Sequence, residues 1–520
     1  MTIAATQKLK GNKMRNTFLN EMISEDNLTF TENGGITRKT TKSDVLDMFA
    51  LGGAYRPRSE EDVILLFKNA YEENKDLALK CLFYLRDIRG GQGERRFFRI
   101  AFRWLCKNAS LDAFTNLKNI SEYGRWDDLI YSTFETPLQD DACRLIEEQL
   151  YLDNKCKTPS LLAKWLPSQN ASNKTTKKYG HIIANYIGAT DRQYRKMLSS
   201  LREKIKIVER LMSENRWDEI QFDKIPSRAG IIYRNAFARR DILAKRYEEF
   251  AKDKTTKVNA EALYPQDVCS RAWKMVYKSF NDPERLMLQK YWDNLKDFYC
   301  GREENAIAIV DVSGSMIGTP MDAAVSLGAY IADKSRGPFA HHFITFSDHP
   351  QLVRFNGVDI VDKFARCRQA DWGGSTNIQA VFDLLLETAR SKNVRKEDMP
   401  KRLYIFSDME FKSCVSFGNS TTSRWGYSQY KMVKSVDEAN SDLEKIRIQW
   451  MRQGYELPEV IFWNLSARED HIPAIGDGFS YISGFSPVMV EQVLGGKTGY
   501  DLMIDKLVRS GRYSKVISVY

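Results

Sequence analysis

The sequence predicts a chain in two parts, an all-α helical array over residues 1–300 and a doubly wound α/β domain over 301–520. Three observations carry this. From Thr41 onward, apolar residues recur at helical spacing with short turns between the runs. Around residues 282–304 the chain becomes mixed and highly charged. Beyond it, wholly apolar strand candidates alternate with helices, as in a mainly parallel sheet covered on both faces.

In the first half, Ser59-Glu60-Glu61-Asp62 reads as a capping box, followed on one face by Val63, Leu66, Phe67, Ala70 and Tyr71. A second helix is expected over 76–88 and a third over 94–108, with Phe97, Ile100, Ala101 and Leu105 inward. Short helices joined by short turns suggest a stacked array. Arg125-Trp126-Asp127-Asp128 is echoed 91 residues later by Arg216-Trp217-Asp218-Glu219, which fits related helical units. Taken singly, each is a helix start with acids near its N-terminus. Between the second and third helices, Arg89 to Arg96 (RGGQGERR) is not a Walker motif, because no Gly-Lys-Ser/Thr follows. It could offer backbone N–H groups and arginines to a phosphate, although a Gly-rich turn is more often only a turn.

The net charge of +10 is unevenly placed. Residues 151–280 hold 27 Lys and Arg against 14 Asp and Glu, a local balance of +13, so the remainder is slightly acidic. Such a segment suggests a polyanion, nucleic acid being the commonest, while solvated surface lysines are the plain alternative. Basic and aromatic residues interleave here. The candidate contacts are Lys174, Lys177, Lys178, Arg195, Lys196, Arg228, Arg234, Arg239 and Arg240.

In the second half, strands are expected at 306–312, 339–346, 352–355, 403–407, 460–465 and 481–484, with helices at 321–334, 360–369, 377–391 and 436–452. The first strand runs into Asp311-Val312-Ser313-Gly314-Ser315, which aims a carboxylate and two hydroxyls from one strand end. Trp372 to Asn377 adds Thr376 from a Gly-Gly loop, and a second buried strand ends in Ser407-Asp408. Ligands of parallel sheets sit at strand C-termini, at the topological switch. Asp311, Ser313, Ser315, Thr376 and Asp408 form an all-oxygen donor set suited to Mg²⁺, or to Mn²⁺ or Ca²⁺, with an open position for an outside carboxylate or phosphate.

These motifs, in this order, resemble a von Willebrand factor A domain with a complete metal-ion-dependent adhesion site. The resemblance implies that Asp311, Ser313, Ser315 and Thr376 bind the ion and that Asp408 holds it directly or through water. Ala50-Leu51-Gly52-Gly53, Arg86 to Gly91, Tyr123 to Asp127 and Leu263-Tyr264-Pro265 further resemble the TROVE module of the Ro ribonucleoproteins and of their bacterial, phage, plant and giant-virus relatives. That likeness implies a HEAT-like array, closed into a ring in the Ro family, that binds small noncoding or misfolded RNA.

Other classes find less support. No apolar run reaches the roughly 18 residues of a membrane helix, and Met1 to Asn20 lacks the apolar stretch of a secretion signal, so a cytoplasmic protein is expected. Eight dispersed cysteines without a CxxC pair read as reduced thiols rather than zinc ligands. Five scattered histidines form no helical ligand pair, and no Ser/His/Asp or Cys/His set can be assembled, so no catalysis is expected. An aspartyl phosphatase would want a second Asp where Ser313 stands. The expected function is an RNA-binding scaffold with a metal-dependent interaction domain. The alternative is a metal-dependent protein–protein interaction module on a helical scaffold, its ion capturing an acidic or phosphate-bearing partner.

Overall fold

The computed structural model describes residues 27–205, 208–258, 260, 263–299, 301–346, 349–367, 376–412, 441–474, 477–493 and 499–519. Its first elements were not expected from the sequence: an antiparallel hairpin of β1 (Leu28–Phe30) and β2 (Ile36–Arg38). The longer helices of the first half follow: α1 (Asp44–Leu51), α2 (Glu60–Glu73), α3 (Lys75–Arg86), α4 (Arg95–Asn108), α5 (Trp126–Thr133), α6 (Gln139–Lys155), α7 (Lys174–Tyr186), α8 (Asp191–Ile205), α9 (Ser227–Ala238), α10 (Asp241–Lys252), α11 (Pro265–Ala272) and α12 (Pro283–Asp293). The capping box of α2 is present: Ser59 Oγ accepts from Asp62 N–H, and Asp62 accepts from Ser59 N–H. Such a box silences two orphan donors and stabilises a helix start by about 1 kcal/mol. Val63, Phe67, Ala70 and Tyr71 line its buried stripe.

The second half is a six-stranded mixed sheet of mostly parallel strands: β3 (Ala306–Asp311), β4 (His342–Phe346), β5 (Leu352–Arg354), β6 (Arg402–Ser407), β7 (Glu459–Asn464) and β8 (Phe479–Ser483). Their order across the sheet is β5-β4-β3-β6-β7-β8, and only the edge strand β5 is antiparallel. Every residue of β3 is buried, as a strand covered on both faces requires. Helices α13 (Thr319–Lys334), α14 (Ile360–Cys367), α15 (Ile378–Ser391) and α16 (Asp442–Arg452) belong to this half. Gly328 lets α13 lie tight on the sheet, since a Cβ there would sit 2.3 Å from Val310 Cγ2. The strand expected from residue 339 begins only at His342, because His341 takes a left-handed φ of 62°. The expected helix ends at 368–369 and 436–440 lie outside the described residues.

Both ends of the helical series rest on the sheet domain. At the start, α1 packs on β8, and Gly53 N–H donates to Ser483 Oγ at 3.0 Å. At the far end, α11 lies on α13 and α14, Trp292 Nε1 donates to Asp333 at 2.7 Å, and Arg285 pairs with Asp359 at 2.7 Å. The two ends also meet each other. Tyr264, capping α11, abuts the turn before α4 so closely that a Cβ on Gly93 would lie 2.2 Å from its hydroxyl. The last described residues return to the first helices: Tyr513 stacks edge-on with Tyr84, and Arg512 Nη2 donates to Asp87 Oδ1 at 2.9 Å.

Candidate metal centre

β3 connects by α13 to β4 on one side, and the chain later crosses back to place β6 on the other. The switch therefore falls between β3 and β6, where parallel strands leave a crevice at their carboxyl ends. Asp311 closes β3 and Ser407 closes β6. Ser407 Oγ donates to Asp311 Oδ2 at 2.5 Å, and Ser313 N–H donates to Oδ1 at 2.9 Å. The hydroxyls of Ser313 and Ser315 are 3.1 Å apart, and Ser315 also hydrogen-bonds Asp408. Four of the five expected ligands are thus gathered at one point. Thr376 is buried, and its carbonyl accepts from Lys412 N–H at 2.9 Å, which ties it to the loop that carries Asp408. Residues 372–375 of its Gly-Gly loop lie outside the described residues.

The electrostatics are those of a site holding too much negative charge. Asp311 is fully buried, and that burial, reinforced by the neighbouring Asp408, pushes its carboxyl up to about 7. Asp408 is raised as well, again chiefly by burial, against hydrogen bonds from Ser315 and the Glu410 backbone. Two buried carboxylates that repel each other, ringed by hydroxyls, fit a hard divalent cation, whose charge would offset both. Among the described residues no group of three or more His, Cys, Asp or Glu side chains is placed to hold a metal ion. The five candidate donors are all oxygens, the ligand type of hard cations rather than of zinc.

A surrounding layer escaped the sequence reading. Arg468, in the loop after β7, donates to Asp408 Oδ2 at 3.1 Å and reaches Glu32 Oε2 at 3.0 Å. Glu410 is fully buried and pairs with the buried His471 at 3.2 Å. Burial alone would raise Glu410, but His471, the Glu32 backbone N–H and Arg468 together hold it below the usual carboxylate range. The β1–β2 turn is seated here: Glu32 N–H donates to Glu410 Oε2 at 2.8 Å, and Asn33 Nδ2 to its carbonyl at 2.6 Å. The signal for Arg468 was available, because every parallel strand end points at the same crevice. The hairpin gave none.

The basic candidates are scattered in their situations. Lys174 and Lys177 on α7, Arg195 and Lys196 on α8, and Arg239 after α9 are exposed, their side chains with no hydrogen-bond or ion-pair partner among the described residues. Lys178 pairs with Glu135 at 2.5 Å, Arg234 with Glu284 at 2.6 Å, and Arg228 stands 3.9 Å from Asp267. Arg240 lies over Trp217, 5.0 Å from its ring centre. In the RGGQGERR turn, the N–H groups of Gly91, Gln92, Gly93 and Glu94 all bond to carbonyls of residues 84–87. Arg89 and Gly90 N–H bond to the Asp87 side chain. The backbone cradle expected for a phosphate is therefore already filled from within.

Residues 305–509 match the family model described as domain of unknown function (DUF7788). Residues 31–132 and 152–297 match another, domain of unknown function (DUF2828). Uncharacterized protein L728 of Acanthamoeba polyphaga mimivirus is 31% identical over 512 residues, an alignment covering 90% of this chain and 85% of the viral protein. The chain belongs to the family of that protein. The shared length takes in both the helical half and the sheet half, so the viral protein has the two in common with this chain.

Proposed function

We propose that the protein is an RNA-binding scaffold whose sheet domain makes divalent-metal-dependent contacts, a TROVE-like helical array joined to a von Willebrand factor A-like domain. The observation that carries the RNA reading is the set of five exposed basic residues, Lys174, Lys177, Arg195, Lys196 and Arg239, that no acid neutralises among the described residues. Lysines and arginines that serve the fold are paired, as Arg234 is; these are left to solvent or to a polyanion. The meeting of the two ends of the helical series at Gly93 and Tyr264 supports a closed, HEAT-like ring. Mg²⁺, or Mn²⁺ or Ca²⁺, would be held by Asp311, Ser313, Ser315, Thr376 and Asp408.

Electrophoretic retardation of structured RNA at rising salt tests the reading. Salt-sensitive binding, weakened when Lys177 and Arg239 are neutralised, is expected. Salt-insensitive or absent binding sinks it. The second reading, a metal-dependent protein-interaction module without RNA, is favoured by the crevice at Asp311. Pull-downs with wild type and Asp311→Ala separate the two: loss of protein partners in a chain that never bound RNA selects the second.

A further inference from the structure

Helix α4 carries Arg95, Arg99 and Arg103 at successive steps of four residues, so all three share one face. That face meets the start of α5. Arg99 donates to Asp128 and Asp127 at 2.7 Å each, and Arg125 donates to Asp127 at 2.8 and 3.0 Å. From beneath, the buried Arg86 donates to Asp128 at 2.6 and 2.8 Å. Three arginines thus share two aspartates, and Arg95 beside them makes a fourth guanidinium, so the group of four arginines and two acids carries two positive charges in excess.

The excess has a definite location. Arg86, Arg99 and Arg125 are saturated by the two acids, whereas Arg95 is exposed and has no hydrogen-bond or ion-pair partner among the described residues. Its guanidinium is disfavoured by partial burial and then by Arg99 and Arg125, which outweigh the attraction of Asp127 and Asp128. Aromatic rings sit in the same patch. Arg125 lies over Trp165 at 4.0 Å from the ring centre, with Lys164 at 5.6 Å, and Arg99 lies over Tyr131 at 4.6 Å. Further along, Arg103 at 3.3 Å and Lys178 at 2.5 Å share the single carboxylate of Glu135, again leaving positive charge in excess. Like charges are not gathered this way for stability, because each addition raises the cost of the others.

We propose that this face of α4 and α5, with Trp165, binds the backbone of single-stranded RNA, Arg95 taking a phosphate and the Arg125–Trp165 stack offering a plane for a base. The choice of ligand rests on the RNA-binding reading above. The site lies outside the +13 segment for all its residues but Trp165, Lys164 and Lys178.

The test uses the full-length protein and a fluorescein-labelled oligouridylate, with anisotropy read across a salt series. Arg95→Glu is expected to weaken binding about tenfold or more, the scale of a lost charge-assisted contact. Arg95→Ala should flatten the slope of log affinity against log salt by about 0.7, one phosphate of a single strand. Arg95→Lys, which keeps the charge, should recover most of the affinity. Because Arg95 makes no side-chain hydrogen bond or ion pair among the described residues and is crowded by Arg99 and Arg125, Arg95→Ala should melt no lower than the wild type, so its loss of binding is not a loss of fold. If the wild type binds with salt dependence and Arg95→Glu matches it in affinity and slope, this site is wrong while RNA binding stands. If the wild type itself fails to bind, both readings fall.

Discussion

Replacing Asp311 by Asn should stabilise the metal-free protein and abolish its response to divalent cations. Asn keeps the shape, and its amide can still accept from Ser313 N–H and donate to Ser407 Oγ, the two groups that now hold the carboxylate. What disappears is a charge with no exposure, next to a second buried carboxylate. A carboxyl moved from 3.8 to about 7 is penalised when ionised by up to about 4 kcal/mol, taking roughly 1.4 kcal/mol for each unit. The folded pKa is raised, so this contribution favours the native state below the unfolded pKa and is lost as pH climbs to about 7. Above that, metal-free Asp311→Asn should melt several degrees higher than wild type. A cation at about 100 times its Kd adds about 2.7 kcal/mol to the wild type. At roughly 2–4 °C per kcal/mol, that is a rise of about 5–10 °C. Differential scanning fluorimetry at pH 8, in chelator and then in Mg²⁺, Mn²⁺ or Ca²⁺, should therefore show the wild-type curve climbing most of the way to that of Asp311→Asn, which itself stays put. A wild-type midpoint that no cation moves, or an equal rise in Asp311→Asn, refutes the metal centre.

Asp47 accepts from Thr40 Oγ1 and Thr41 N–H, yet burial raises its carboxyl to about 6. Its contribution to stability is present below pH 4 and lost as pH rises through 6. Urea titrations should thus show wild type losing up to about 3 kcal/mol relative to Asp47→Asn across that window, and parallel curves would contradict it. Asp128→Ala leaves the buried Arg86 without its acid and should cost about 3–5 kcal/mol by the same titration; a loss under 1 kcal/mol would mean that water or Asp127 replaces it. Ser59→Ala, which removes the cap of α2, should cost only about 1 kcal/mol.

What could be read from the chain divides by the range of the interaction. The α2 capping box, the apolar face of α4 and the buried strands β3, β6 and β7 are set by residues within a few positions of one another, and each stands where periodicity puts it. The donor set at Asp311 was legible for a related reason. Parallel strands have to deliver their carboxyl ends to one edge, so two strands ending in Asp converge without any knowledge of distance. The hairpin at residues 28–38 has no such rule. Its two strands are three residues each, and what secures it is partners almost 400 positions away: Glu410, Phe411 and the α16 acids Asp442 and Glu444. The RGGQGERR turn failed in the opposite sense. Its glycines suggested open N–H groups, but tertiary packing had already given those groups carbonyls, and Asp87 had taken both the turn and Arg512. The arginine that survives as a candidate, Arg95, is marked by what surrounds it rather than by its motif. Two aspartates face four guanidiniums, and that arithmetic exists only once α3, α4 and α5 are packed together.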